Sequence, residues 1–511
     1  MGGAAATAAA AALGATPVAA SRTRAAREPD ADVVIVGGGL SGLAAAYTVM
    51  KAGRTPLVLE ARPRVGGRTL NHPIGGGKII EAGGEWVGPT QDRVHAYLGE
   101  LGLSTFPEYI DGKHIYAFDG ARMTYTEDGP TGTAPPDPVV LPDTLQIVAR
   151  LDEMSQSVPV DAPWTAAQAP EWDAQTLETW LRENTATERF RKLARFAVRS
   201  ILGAEPSEIS LLFALFVMAA AGNEQNPGTF ERLFSTRNGS NEDRVHGGSQ
   251  LIALGLARKL GAHVRLGRPV RRIDQSSSGV RVYADGLSVT GQQAIVAVPP
   301  ALAGQIRYDP LLPARRDQLT RRVPQGTQIK CEAIYPRPFW RDDGYSGFAI
   351  TDLGPGQVVF DNSPPEGAPG VLVSFVCGEN ARAWSGRDPA ELRAAIVKQY
   401  GDLWGPQALQ PIDYFQMYWS AEEWSRGCPV CVLPPGVLID NGPALRQPIG
   451  RIHWAGTETS TYWAGYMDGA IRAGERAAAE TLAELRGRAP APTRHRRRRG
   501  AHRHHHRRSA K

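Results

Sequence analysis

Cysteine is scarce in this chain. Cys331, Cys377, Cys428 and Cys431 are all that 511 residues contain, too few and too scattered to staple a chain of this length, so a disulfide framework is excluded. Cys428-Pro-Val-Cys431 has the spacing of redox and metal pairs, but no second ligand pair at zinc-like spacing accompanies it, and no metal is expected. Long apolar runs are missing too. The longest, Leu211 to Ala221, falls short of the roughly 18 to 20 residues that a bilayer crossing needs, so no transmembrane anchor is expected. Acid is absent from the end of the chain: from Arg486 onward there are ten arginines, five histidines and Lys511, with no Asp or Glu. That tail makes the formal charge of +5 misleading, because the remainder holds 46 basic against 52 acidic residues. A mildly acidic body does not suit sequence-specific nucleic-acid binding, and any contact with anionic surfaces has to come from the tail.

What remains is the composition of a soluble globular protein, 42% hydrophobic and long enough for two or three domains. At the N-terminus Ala4 to Ala20 is alanine-rich and ends Val-Ala-Ala before Ser21, like the apolar and cleavage regions of an export signal, yet no Lys or Arg precedes it. The segment reads either as a signal whose start lies upstream or as a floppy leader, and the location as cytoplasmic or secreted.

The most informative stretch follows. Val33 to Val36 reads as a buried parallel strand, Leu43 to Lys51 as a helix closed by Gly53, and between them stand Gly37, Gly39 and Gly42 in a G-x-G-x-x-G pattern. Gly37 permits a tight turn, Gly39 lets backbone approach a pyrophosphate, and Gly42 lets helix pack on strand, while the helix N-terminus offers free N–H groups to phosphate. Glu60 closes the second strand, Leu57 to Leu59, where a carboxylate accepts ribose hydroxyls and disfavours a 2′-phosphate. Arg62-Pro-Arg-Val-Gly66-Gly67-Arg68 adds a second glycine turn that brings backbone and the Arg68 guanidinium to phosphate, and Glu81-Ala-Gly83-Gly84-Glu85-Trp86 follows. Candidate cofactor-binding residues in this part are Gly37, Gly39, Leu40, Ser41, Gly42, Glu60, Ala61, Arg62, Gly67, Arg68, Glu85 and Trp86.

Pieces of the same kind recur. Gly247-Gly248-Ser249-Gln250-Leu251 opens a helix followed by short strands, and Arg451 to Leu485 reads as a strand Ile452 to Ala455, a glycine turn and a helix Met467 to Leu485. A helical insert and an aromatic-rich mixed segment lie between. The expected division is a leader over 1–30, a dinucleotide-binding domain from 31–115, 244–324 and 431–485, a substrate domain from 116–243 and 325–430, and a basic disordered tail over 486–511. The expected fold class is α/β, a Rossmann-type domain interleaved with an α+β domain.

Over nearly all of 31 to 484 the chain resembles the flavin amine oxidases, the group that contains the monoamine, polyamine and L-amino acid oxidases. The resemblance rests on G-G-G-L-S-G-L, V-G-G-R, V-G-P-T-Q-D-R at Val87 to Arg93, G-G-S-Q-L, and above all Trp454-Ala-Gly-Thr-Glu-Thr-Ser-Thr-Tyr-Trp-Ala-Gly-Tyr466-Met-Asp-Gly-Ala470. It implies FAD, an amine substrate and O2, with H2O2 as product. It implies further cofactor contacts at Val270, Trp419, Cys428, Gly456, Glu458, Gly465, Tyr466 and Met467. It also implies catalytic roles for Lys330, holding a water at flavin N5, for Trp419 beside the isoalloxazine, and for Tyr466 as one wall of an aromatic pair framing the amine. Cys428 matches the cysteine that in monoamine oxidases bonds to the flavin 8α carbon; the alternative is a free buried thiol. Lys330 has a plainer alternative too, a strand lysine snorkelling at a domain edge.

Two departures stand out. Pro429 occupies the position of the second aromatic wall, and the basic tail stands where mitochondrial relatives carry a membrane helix. Rival readings are an L-amino acid oxidase, which needs an arginine to fork a carboxylate, with Arg426 and Arg472 near only in sequence, and a silent flavoprotein that binds partners through its tail. A homodimer is a further expectation. Truncation after Leu485 is expected to leave yellow, active enzyme of lower isoelectric point, and any binding to anionic lipid or nucleic acid should vanish with the tail and weaken steeply with salt. Loss of flavin on truncation would instead make the tail part of the fold.

Overall fold

The computed structural model describes residues 29–129 and 131–486. The signal-like leader up to residue 28 and the arginine tail from 487 lie outside the described residues.

The strand Ala31–Val36 is buried along its whole length, because it is flanked on both sides by parallel partners: Val34 stands opposite Ala294 of Leu287–Val296 and Leu57 of Pro56–Leu59. Its side chains alternate between two cores. Val33 and Ile35 pack under the helices Leu40–Lys51, Asp92–Leu101, Gln250–Leu260 and Met467–Leu485, whereas Val34 and Val36 face the antiparallel strands Val270–Ser276 and Gly279–Ala284. The sheet runs, by strand, 264–265, 56–59, 31–36, 287–296, 279–284, 270–276 and 307–309, with 452–454 also pairing on 287–296. It is the α/β sheet expected of a dinucleotide-binding domain, assembled from three separate stretches of chain.

One boundary differs from the sequence reading. The first helix starts at Leu40 rather than Leu43, with Gly39 as its N-cap, so Leu40, Ser41 and Gly42 form its first turn. A Cβ on Gly42 would collide with the carbonyl of Gly37, which sits at φ +103°, so glycine is required there by contact as well as by the turn. A Cβ on Gly474 would likewise strike the carbonyl of Ser41, and this lets the last helix lie directly on the first.

The second sheet has seven strands in the order 413–418, 328–335, 370–377, 358–361, 345–351, 113–118 and 121–125. The strand Lys113–Phe118 crosses residue 115, where the sequence reading changes domain, and belongs wholly to this sheet. In Gln328–Tyr335 the odd positions Ile329, Cys331, Ala333 and Tyr335 pack against Leu392, Ile396 and Tyr400 of the helix Pro389–Trp404. Period-two alternation therefore turns Lys330 and Glu332 to the opposite face. That face is roofed by the helices Leu141–Gln156, Leu177–Asn184, Glu188–Leu202 and Leu211–Ala219, which share a core with Phe118, Phe360 and Val373. Thr176, Thr187 and Ser210 cap three of these helices, accepting N–H bonds at 3.1, 3.3 and 3.0 Å. Every residue of Leu211–Ala219 is buried, as an all-apolar helix must be. Among the described residues no helix is long and apolar enough to cross a membrane.

Candidate active site

A cavity of about 770 Å³ runs from the glycine turn of the first sheet to the helical roof of the second. At the first end its wall includes Gly37, Gly39, Leu40, Ser41 and Glu60. The helix Leu40–Lys51 has no side-chain cap, so its first-turn N–H groups are left for a ligand. Glu60 is buried, and its carboxylate accepts the N–H of Gly38 and, at 2.9 Å, that of Arg62. The Ser41 hydroxyl accepts the N–H of Gly456 at 2.8 Å, which ties the first helix to the far end of the chain and leaves the hydroxyl proton free to donate.

The arginines of the second glycine turn are held by acids. Arg62 donates to Glu422 at 2.7 Å and to Ser425 at 2.8 Å. Arg68, beside Gly67 on the wall, donates to Glu458 at 2.7 Å and to the carbonyl of Pro429. Burial alone would lower the Arg68 guanidinium, and Glu458 outweighs it, so Arg68 stays charged. The second carboxylate oxygen of Glu458 is buried without a partner. An orphan acceptor beside an uncapped helix end and a glycine turn is what the hydroxyls and phosphates of FAD would satisfy, so the residues present fit that group.

Midway along the cavity the wall changes character. Gly456, Gly465, Tyr466 and Met467, at the start of the last helix, face Trp86, Lys330, Trp419 and Cys428. Trp419 is pinned by an N–H bond to the carbonyl of Ala82 at 2.9 Å, and Trp86 by one to Glu108 at 3.0 Å. Tyr466 packs edge-on against Trp463, and burial pushes its hydroxyl up to about 12, so it stands as a neutral phenol. Cys428 is buried with its thiol pushed up to about 12 by burial, its sulfur 3.8 Å from Gln328 Oε1. Pro429, joined to it by a cis peptide, also lines the cavity. Cys431 lies off this wall.

Lys330 does not snorkel. It is 3% exposed and ion-paired with Glu85 at 2.9 Å, with Glu332 at 3.8 Å and the carbonyls of Glu81 and Gly83 alongside. Desolvation would lower the ammonium, but the Glu85, Glu332 and Glu81 charges outweigh it and hold it above its ordinary value. Beyond this point the chamber is apolar, lined by residues such as Phe190, Leu193, Ile201, Phe348 and Phe360 from the roof and the second sheet.

Four expected cofactor residues stand off the cavity wall, among them Glu458, which lines a small neighbouring cavity. Ala61 is half-buried, Val270 packs in the core behind the first sheet, and Gly42 acts in helix packing. Arg472 is consumed by Asp468, Glu224 and Asp92, and Arg426 is exposed. Sequence reasoning missed the acids around Lys330: Glu81, Glu108 and Glu332, with Arg244 among them. Only Glu332 left a signal, being two positions from Lys330 and so on the same face of the strand.

A dinucleotide cradle that opens into a largely apolar chamber, with one buried ammonium at the junction, defines a flavin-dependent oxidoreductase. The chain belongs to the flavin-containing amine oxidoreductases, whose family model matches residues 40–482. It is 38% identical to the flavin-containing amine oxidase B of Sus scrofa over 457 residues, 88% of this chain and 86% of that protein. It is also 38% identical to an L-amino acid dehydrogenase of Synechocystis over 456 residues, 88% of this chain and 94% of that one. Among solved structures, cyclohexylamine oxidase from Brevibacterium oxydans superposes with a TM-score of 0.84 at 35% identity, covering 89% of this chain and all of that chain. The protein is an FAD-dependent amine oxidase.

The buried acids give the fold a pH dependence of definite sign. Burial pushes Glu108 up to about 8, against Arg244, and Glu332 up to about 7, against Lys330. In the unfolded chain such groups ionise near ~4.3. Between those values the fold binds more protons than the unfolded chain, so the stability these groups contribute is present in acid and is lost as pH rises through the folded values. Denaturant midpoints should fall from about pH 5 to about pH 8, and Glu108→Gln should flatten that slope. An equal slope in the variant would show that Glu108 stays ionised.

Proposed function

We propose that the amine binds in the apolar chamber and presents its α-carbon to FAD where Lys330, Trp419 and Tyr466 meet. The observation that carries this reading is the continuity of one cavity from the glycine cradle, past Lys330, into the chamber. Gly37, Gly39, Leu40, Glu60, Arg62, Gly67, Arg68 and the Gly456 to Met467 turn would hold FAD, and Glu458 would take a hydroxyl on its free oxygen. In this reading 31–115, 244–324 and 431–485 build the FAD-binding domain and 116–243 and 325–430 the substrate domain. Bound FAD supplies the chemistry: it accepts the α-hydride equivalent and passes it to O2, which leaves as H2O2.

The chain's own part is placement and exclusion. Tyr466 and Trp419 give a flat, desolvating surface on which a neutral amine keeps its lone pair, since an apolar wall disfavours an unpaired ammonium. With Pro429 in place of a second aromatic, the slot beside Tyr466 is open on one side and suits a bulkier carbon skeleton. An apolar, ring-sized amine fits a chamber lined by Phe190, Phe348 and Phe360, in keeping with the cyclohexylamine of the similar solved structure. The L-amino acid reading is weaker. Among the described residues only Arg62 and Arg68 reach the wall as arginines, and glutamates hold both.

Purified enzyme should release peroxide with apolar primary amines and far less with amino acids. Lys330→Met, which keeps the stem and removes the ammonium, should retain FAD and slow turnover by about tenfold or more. Turnover at the wild-type rate in both half-reactions would leave Lys330 a purely structural ion.

The same reading attaches FAD covalently through Cys428, which lines the cavity. Acid-precipitated enzyme should stay yellow and a Cys428 peptide should carry the mass of FAD, while Cys428→Ala should release its flavin. A colourless precipitate from freshly purified enzyme would reduce Cys428 to a packed thiol.

A further inference from the structure

Behind Lys330 lies a buried charge cluster that the amine oxidase reading leaves unused. Arg244, from the short strand Asp243–Val245, stands with its Nε 3.6 Å from Glu81 and 3.8 Å from Glu108. Glu85 and Glu332 flank Lys330, and the second oxygen of Glu332 accepts from Asn362 at 3.1 Å. Glu81 also accepts the N–H of Ser249 at 2.7 Å. None of the six side chains is more than 5% exposed. Asp361 approaches from the neighbouring strand, but Arg341 at 2.7 Å and the Trp340 N–H at 2.8 Å satisfy it. Four carboxylates thus share two cations.

A cluster with every acid ionised would carry two uncompensated negative charges away from water, which is strongly disfavoured, so protons must sit on it. The free oxygens agree: Oε1 of Glu85, Glu108 and Glu332 each lack a hydrogen-bond partner. Burial lifts Glu108 and Glu332 into the neutral range, and lifts Glu81 as well, where the Glu85 charge adds to burial. Only Glu85 and Lys330 of the six reach the cavity wall.

The reaction needs such a store. An α-hydride carries two electrons and one proton, so turning O2 into H2O2 requires one further proton. The iminium left behind by hydride loss releases one proton as it becomes the imine, and the two balance over a turnover. They are separated in time, however, and the chamber is apolar. We propose that Glu81, Glu108 and Glu332 hold this proton and that Glu85, the one acid of the four on the cavity wall, is its outlet to O2 reduction. Lys330 fixes Glu85 by one oxygen, and the iminium proton refills the store. This rests on the oxidase activity for O2 reduction and on amine oxidation for the refilling step.

Infrared difference spectra of the wild-type holoenzyme should show a protonated-carboxyl stretch at about pH 6 that fades towards about pH 8 to 9, and it should diminish in Glu108→Gln or Glu332→Gln. Enzyme reduced by dithionite, without amine, should reoxidise in Glu85→Gln about tenfold or more slowly, with a flattened pH profile. Should Glu85→Gln fail to bind FAD, Glu108→Gln and Glu332→Gln carry the same reoxidation test. No carboxyl band in the wild-type enzyme, or wild-type reoxidation and pH profile in the folded variants, would overturn the proposal. Failure of amines to reduce the enzyme would bear on the substrate alone, since dithionite reports the store independently.

Discussion

The contact between the first helix and the last organises this molecule. Leu40–Lys51 and Met467–Leu485 are separated by more than four hundred residues, yet the carbonyl of Ser41 lies where a side chain on Gly474 would have to go, and the hydroxyl of Ser41 holds the N–H of Gly456. With glycine at 42 and 474, two helix N-termini open side by side on the same cavity. Their uncapped N–H groups and aligned dipoles favour an anion at that point. The rest of the chain is threaded between these ends, so the cradle forms only when the fold is complete.

Charge placement follows the same logic. Each cation on the cavity wall is matched to a carboxylate from a distant segment: Arg62 to Glu422, Arg68 to Glu458, Lys330 to Glu85. Pairing lets ionised groups survive in a buried wall where a lone charge would neutralise. Lys330 is the sharpest instance. Strand alternation alone would make it an isolated ammonium facing an apolar chamber; it is tolerable because the loop carrying Glu85 and the strand carrying Glu81 close over it. The excess of acid over base in that cluster sets it apart from a simple structural ion pair.

Local patterns read well wherever the chemistry is local. The glycine turn, the strand before it, Glu60 and the turn leading into Met467 each depend on a few consecutive residues whose allowed conformations are narrow, and all are where the pattern puts them. The helix start at Leu40 was missed because nothing in Leu-Ser-Gly signals a first turn; Gly39 caps it through backbone alone. Arg68 reads in sequence as a phosphate ligand and is found on Glu458, a partner that spacing cannot reveal. The four-acid cluster was invisible for the same reason, since its members come from two strands and two loops far apart in the chain.

By itself the sequence determined the dinucleotide-binding architecture and the alternation that turns Lys330 away from its core, because each follows from backbone conformations or periodicities of a few residues. Only the tertiary structure decided which carboxylate meets which cation, that one cavity joins the cradle to an apolar chamber, and that Ala61 and Val270 lie off its wall. Those outcomes depend on burial and on pairing across hundreds of residues, and a buried charge finds its partner through the packing of the whole chain.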